Sequence, residues 1–342
     1  MNPTPLTCLF FNDLEPYEKI FIEPLMEKLS ESTSVETVWV TEAQRGFFRR
    51  KKLEGDYWIV SRNWRGALDF LAVNSNRAGR IFVSVLGTAR EEKGLHGLTL
   101  QSFKSPIPKP VTLIAYSPLE FRFLRDIKRI PETQLKMSSL PLPSDWSLDS
   151  CLNPNEKFQV GTFCDFSSAS NINFLIGVAH FVSKQNTQIH FNVLGRGPLY
   201  AHLVKMVNSL GLNQTVSIVE TTSPSSIRSL NLFLYAPLRN HHFIPLMLAG
   251  AYSVPVVSVD LPGIEAFISE GHTGFIIPSY DIRAMGEKVI KLYLEKALRD
   301  SLGGQFNRDL KKNLSLDVVA RNYESIFWER EPSTPMEWKQ AA

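Results

Sequence analysis

The chain has 342 residues, 44% of them hydrophobic and 21% charged, with a formal charge of +3. That length allows two domains with a core each, and so ordinary a composition excludes disordered, collagen-like and membrane-embedded classes. No apolar run reaches the roughly 18 to 20 residues a transmembrane helix needs, since Pro, Gly and Ser break the longest one, between Ile244 and Val259.

The N-terminus lacks a basic leading segment, so Leu6–Phe11 reads as a first strand and not as a signal peptide. An amphipathic helix follows over Glu15–Ser30, with Ile20, Phe21, Leu25, Met26 and Leu29 at helical spacing. Val35–Val40 is the second strand. Asp56–Ser61 and Ile81–Leu86 are further strands, with a helix expected between them over Trp64–Asn74. Val111–Tyr116 is another strand, and the helix after it is capped by Ser117 and opened by Pro118. The alternation predicts a parallel sheet with helices on both faces.

Between Arg45 and Arg129 stand 17 Lys or Arg against 7 Asp or Glu. The densest part is Phe47, Phe48, Arg49, Arg50, Lys51 and Lys52. Two rings beside four cations suit an anionic membrane surface, and a solvated charged loop is the alternative. No nucleic-acid module surrounds the patch, so nucleic acid is not an expected partner. Cys8, Cys151 and Cys164 are scattered without metal-ligand spacing, which points to a reducing cytoplasm.

From Leu140 to Pro154, Pro, Ser and Asn cluster without periodicity, as in an interdomain linker. The expected division is residues 1–143, a linker at 144–155, a second domain at 156–315, a last helix at 316–330 and a tail at 331–342. The second domain begins with a strand at Phe158–Phe163, a loop with Ser167, Ser168 and Ser170, a helix over Ile172–Lys184 and a strand at Ile189–Leu194. Then come the turn Gly195-Arg196-Gly197-Pro198, a helix to Leu210, a strand at Val216–Val219 and a helix over Ser225–Leu230. Leu232–Ala236 is a buried strand, and a loop leads from it to a helix opened by Pro245. A strand at Val254–Val259 and a short one before Pro278 follow, then helices over Asp281–Leu298 and Leu316–Glu329.

Across Phe158–Phe327 the chain resembles the GT-B glycosyltransferases of the retaining family-four type. The resemblance rests on Val160-Gly161, the Gly195-x-Gly197-Pro198 turn, Leu210-Gly211-Leu212, Val254-Pro255-Val256-Val257-Ser258, Gly263, Gly271-His272-Thr273-Gly274 and Pro278, in the family's order. It implies an α/β fold of two Rossmann-like, doubly wound domains facing a central cleft, with the last helix crossing back to the first domain. The implied activity is retaining transfer of a sugar from a nucleotide sugar, a UDP-sugar being expected, to a glycan or lipid-linked acceptor. No metal or other cofactor is implied.

The residues at the implied donor site depart from the family. Thr162 stands where an Arg is usual, the serines near Ser167 and Ser168 where a Lys is usual, and Asn240 and Leu248 where two glutamates are usual. A diphosphate needs positive charge or several aligned donors, and Leu248 cannot accept a bond from a ribose. The remaining candidates for chemistry are Asn240, His241 and His242; the histidines read equally as exposed loop residues. Donor contacts are expected from Gly161, Thr162, Gly195, Gly197, and from Phe243 and Ile244 at the start of a helix whose amides suit a phosphate. Glu265, one residue from a position where the family carries an acid, is either a donor contact or a surface residue. In the first half Asp13 and Glu15 fit a turn or cap, and Val85-Leu86-Gly87-Thr88 lacks the family's His. The expected function is therefore a glycosyltransferase with an atypical donor site. The alternative is a catalytically inactive GT-B protein that binds a glycan or serves as partner subunit to another glycosyltransferase.

Overall fold

The structure is a computed structural model, and it describes residues 5–11, 16–40, 55–61, 79–85, 111–116, 118–127, 129–142, 157–238 and 243–329. The chain divides into two units, Met1–Ser144 with Asn313–Ala342, and Asp145–Lys312. The expected helix over Trp64–Asn74, the basic patch at Phe47–Lys52, the core of the linker and the tail lie outside the described residues.

In the first unit, β1 (Leu6–Phe11), β2 (Val35–Val40), β3 (Asp56–Ser61), β4 (Ile81–Val85), β5 (Val111–Ala115) and β6 (Leu135–Met137) form one sheet. Its order is β2-β1-β3-β4-β5-β6 and every pairing is parallel. β6 is a three-residue strand of sequence LKM, too short to show a period in the sequence. α1 (Pro16–Ser30) buries Phe21, Ile22, Leu25, Met26 and Leu29. α2 (Pro118–Arg122) begins at its proline and passes into a π-helical turn over Phe123–Ile127.

In the second unit, β7 (Phe158–Asp165), β8 (Ile189–Arg196), β9 (Val216–Glu220), β10 (Leu232–Tyr235), β11 (Val256–Val259) and β12 (Gly274–Ile277) form a second parallel sheet. The order β12-β11-β10-β7-β8-β9 reverses direction between β7 and β10. That reversal is the topological switch point of a doubly wound sheet, where ligands bind beyond the carboxyl ends of the strands. The connecting helices are α3 (Ile172–Ser183), α4 (Tyr200–Ser209), α5 (Ile244–Ala251) and α6 (Ile282–Leu294). The segment expected as a helix at Ser225–Leu230 is a 3-10 turn over Pro224–Ser229.

One expectation fails in the C-terminal part. In place of a single helix over Asp281–Leu298 the chain breaks at Glu295 (φ −101°, ψ 74°), and α7 (Lys296–Leu314) runs for 19 residues. Its Gly303-Gly304 pair reads as a helix breaker, yet Gly303 is required by packing: a Cβ there would lie 2.0 Å from Ser253 O. Buried Asn307 donates from Nδ2 to Gly250 O (3.0 Å) and Ala251 O (2.6 Å) at the end of α5. A Cβ on Gly250 would come within 2.6 Å of the Phe306 ring. Tertiary contact with α5 thus makes a helix of a polar, glycine-containing segment.

The last helix, α8 (Leu316–Trp328), belongs to the first unit. Tyr323 and Phe327, both fully buried, lie 4.7 and 5.2 Å from the Trp58 ring on β3, and Phe327 is 4.8 Å from Phe82 on β4. Asn322 Nδ2 donates to Met137 O on β6 at 3.0 Å. Trp58 in turn donates from Nε1 to Ser84 Oγ at 2.8 Å, so the indole's single polar atom is satisfied in the core.

Candidate active site at the switch point of the second unit

The exits of β7 and β10 border the crevice. β7 runs to Asp165, two residues beyond its expected end, and this extension moves the start of the loop. Asp165 accepts hydroxyl bonds from Ser167 Oγ (2.9 Å) and from Ser170 Oγ. Of the serines that stand where the family carries a Lys, Ser167 is therefore committed to a carboxylate. Beside it, Cys164 is pushed up to about 12, first by burial and then by the charge of Asp165, with the Ser170 hydroxyl acting in the opposite sense. The residue as a whole is only partly buried, so the shift reflects the enclosure of the sulfur.

Two side chains hold the exit of β10. Asn171, in the left-handed region at φ 53°, donates from Nδ2 to Ala236 O at 3.1 Å. Left-handed backbone suits Asn because its short side chain bonds locally with little steric cost. Tyr280, in the turn after β12, donates to Pro237 O at 2.7 Å and meets the Phe174 ring edge-on at 5.6 Å. The described chain that leaves β10 is therefore anchored at Ala236 and Pro237. Sequence reasoning missed both residues. Asn171 alone carries a signal, as the last polar residue before an apolar helical run.

The glycine pair after β8 has a reason internal to the fold. Gly195 and Gly197 have φ of 145° and 154°, where a side chain is strained. A Cβ at Gly195 would lie 1.8 Å from Cys164 O, and one at Gly197 would lie 2.7 Å from Phe166 N. The close approach that demands glycine is that of the β7 exit. Phe166 N donates to Arg196 O (2.9 Å), Leu199 N to Phe166 O (3.0 Å), and the fully buried Phe166 ring stacks on Tyr200 at 6.3 Å. Arg196 itself is exposed at the rim.

The other expected donor contacts fall in different places. Gly161 is mid-strand, with its α-carbon facing Asn192 O and the Leu230 side chain. Thr162 is 5% exposed and lines an internal cavity of about 10 Å³ with Leu175, Ile176 and Ala179 of α3, under the sheet and not at its rim. That volume is at the lower limit for one water. Phe243 and Ile244 are buried; the Phe243 ring packs on Phe267 at 4.5 Å, so their side chains serve the core. Leu248 is fully buried in α5. Glu265 is half-buried in the turn after β11, behind Gly263 at φ 87°, at the same end of the sheet as the crevice. Asn240, His241 and His242 lie outside the described residues, as do Asp13 and Glu15. Among the described residues no three His, Cys, Asp or Glu side chains gather as metal ligands, and no helix is long and apolar enough to cross a membrane.

Comparison with known proteins agrees with this architecture. Residues 151–307 match the family model described as glycosyl transferases group 1. That match lies within the second unit. A poly(ribitol-phosphate) alpha-N-acetylglucosaminyltransferase of Staphylococcus aureus is 22% identical over 171 residues, 49% of this chain and 35% of the relative. The chain spans about a third or less of the length of the curated relatives it matches, 15 to 36% of each. The crystal structure of Anabaena HepE, in complex with UDP and glucose, superimposes with a TM-score of 0.76 at 10% identity over 96% of this chain and 100% of that one. S. aureus TarM, in complex with UDP among other ligands, gives 0.68 at 17% identity over 79% and 55%. The fold of this chain is GT-B.

Proposed function

We propose that this protein is a retaining glycosyltransferase that moves a sugar from a UDP-sugar to a glycan or lipid-linked acceptor. One observation carries the reading: the group 1 domain match covers the unit whose sheet has its switch point between β7 and β10, with the exit of β10 anchored by Asn171 and Tyr280. The UDP held by the HepE and TarM structures supports a uridine nucleotide as the donor's leaving group. Electrostatic stabilisation of that leaving group is the chief catalytic requirement of such a transfer. Asn240, His241 and His242, which in the sequence stand between the anchored exit and α5, would supply it with hydrogen-bond donors and a titratable imidazole. The proposed donor contacts are backbone groups at Gly195, Gly197, Phe243 and Ile244, with Glu265 from the turn after β11. Phe47–Lys52 would bring the enzyme to an anionic membrane bearing a lipid-linked acceptor. Replacing its four cations by Ser should then abolish liposome binding.

The assay is incubation with radiolabelled nucleotide sugars and cell-derived acceptors. Incorporation, or slow hydrolysis of one donor, is the expected result; inertness toward every donor overturns the proposal. A second reading, an inactive partner subunit of a glycosyltransferase complex, is favoured by Leu248, buried and apolar where a ribose-binding acid is expected. Under that reading, calorimetry detects no nucleoside diphosphate binding.

A further inference from the structure

Arg196 ends β8 and is paired in register with Asp165 on β7, the strand that borders the switch-point crevice. Its backbone is fixed, because Phe166 N donates to its carbonyl and because it stands between two glycines that a side chain cannot replace without collision. The guanidinium is exposed. It makes no ion pair or side-chain hydrogen bond among the described residues, although Asp165 is its register partner and Glu220 that of the preceding Gly195. Asp165 is instead engaged by Ser167 and Ser170.

The neighbouring strand exits sharpen the point. The described residues that follow the six strands of this sheet are Phe166–Asn171, Gly197–Leu199, Thr221–Ser223, Ala236–Leu238, Asp260–Gly263 and Pro278–Asp281. None is Lys or Arg. Arg196 is thus the one Lys or Arg among the described residues that end or directly follow these strands; Arg283, in the first turn of α6, is paired with Glu287 at 2.8 Å. The place after Val160-Gly161, one strand away, holds Thr162, which is buried beneath the sheet and cannot meet a ligand at the rim.

We propose that Arg196 binds the diphosphate of the nucleotide donor, supplying from the end of β8 the positive charge that β7 lacks. The proposal rests on the reading of this unit as a nucleotide-sugar site. A guanidinium presents five donors in a rigid fork that matches phosphate oxygens two at a time. A mount that does not move lowers the ordering cost of recruiting a long side chain.

The test measures UDP and uridine binding by calorimetry to the full chain, to Arg196→Gln and to Arg239→Gln, the last being the first cation in the sequence after β10. The expected result is a roughly 10- to 100-fold loss of UDP affinity in Arg196→Gln, as for hydrogen bonds to a charged group, with uridine affinity unchanged. Arg196→Lys, which keeps a point charge without the fork, should recover part of the loss. An unliganded melting temperature equal to that of the unmodified protein excludes misfolding, since the side chain has no partner to lose among the described residues. If the unmodified protein binds neither ligand, the nucleotide-sugar reading itself fails. If it binds UDP and Arg196→Gln binds it equally well, or the loss is confined to Arg239→Gln, the assignment of Arg196 is overturned and the reading stands.

Discussion

Asn307 offers a quantitative check on how the helix entering the site is held. Replacing it by Leu, which has the same branching and number of side-chain heavy atoms, removes the two bonds from Nδ2 to Gly250 O and Ala251 O. The two carbonyls are not equivalent. Gly250 O keeps a second donor, Ser253 N at 3.0 Å, so its share of the loss is that of one ordinary bond, about 1 kcal/mol. Ala251 lies buried, and its carbonyl is stranded, at a cost of about 1–3 kcal/mol. The sum, about 2–4 kcal/mol, corresponds to a fall in melting temperature of roughly 4–16 °C for a unit of this size. Scanning calorimetry of the two proteins measures it. A loss under about 1 kcal/mol would refute the reasoning, because it would mean that α5 is held without the α7 side chain.

Three further outcomes are expected. Gly195→Ala combines a φ of 145° with a Cβ 1.8 Å from Cys164 O and should cost more than about 3 kcal/mol in urea unfolding, whereas Gly211→Ala, at φ 67° with open space around it, should cost about 1 kcal/mol. Burial raises the Tyr280 phenol, so the stability it adds is complete below the ordinary tyrosine range near pH 10 and is lost as pH climbs through the raised folded value; the stability difference between the unmodified protein and Tyr280→Phe should shrink only in that alkaline window. Cys164, with its thiol pushed up to about 12, should resist iodoacetamide at pH 8.5 in the folded protein and react at the rate of an ordinary thiol once urea unfolds it.

Strand positions were legible in the sequence because they depend on local apolar runs. The runs at Leu6, Val35, Asp56, Ile81 and Val111 all formed parallel strands, and so did those of the second unit, as short β-branched and aromatic segments between turns must when both faces are covered. The placement of the crevice after Leu232–Tyr235 also followed from alternation of strand and helix. What escaped was decided by partners distant in the chain. α7 is polar and carries two adjacent glycines, so nothing local marks it as a helix; Gly303 against Ser253 and Asn307 against the end of α5 make it one. Asn171 and Tyr280 are 65 and 43 residues from the carbonyls they hold, a distance no local pattern spans.

The glycine turn after β8 shows the division most clearly. The spacing Gly-x-Gly-Pro by itself determined that a tight turn ends a strand there, and set it beside a ligand-binding sheet end. Only the tertiary structure decided why glycine is needed, since the obstructing atoms belong to Cys164 and Phe166 on another strand. It also decided that Thr162 faces a helix under the sheet while Arg196, one strand over, is exposed at the rim. A strand's residues alternate between faces and its end can shift by two positions. The sequence alone could therefore name the strands around the site but not which side chains reach into it.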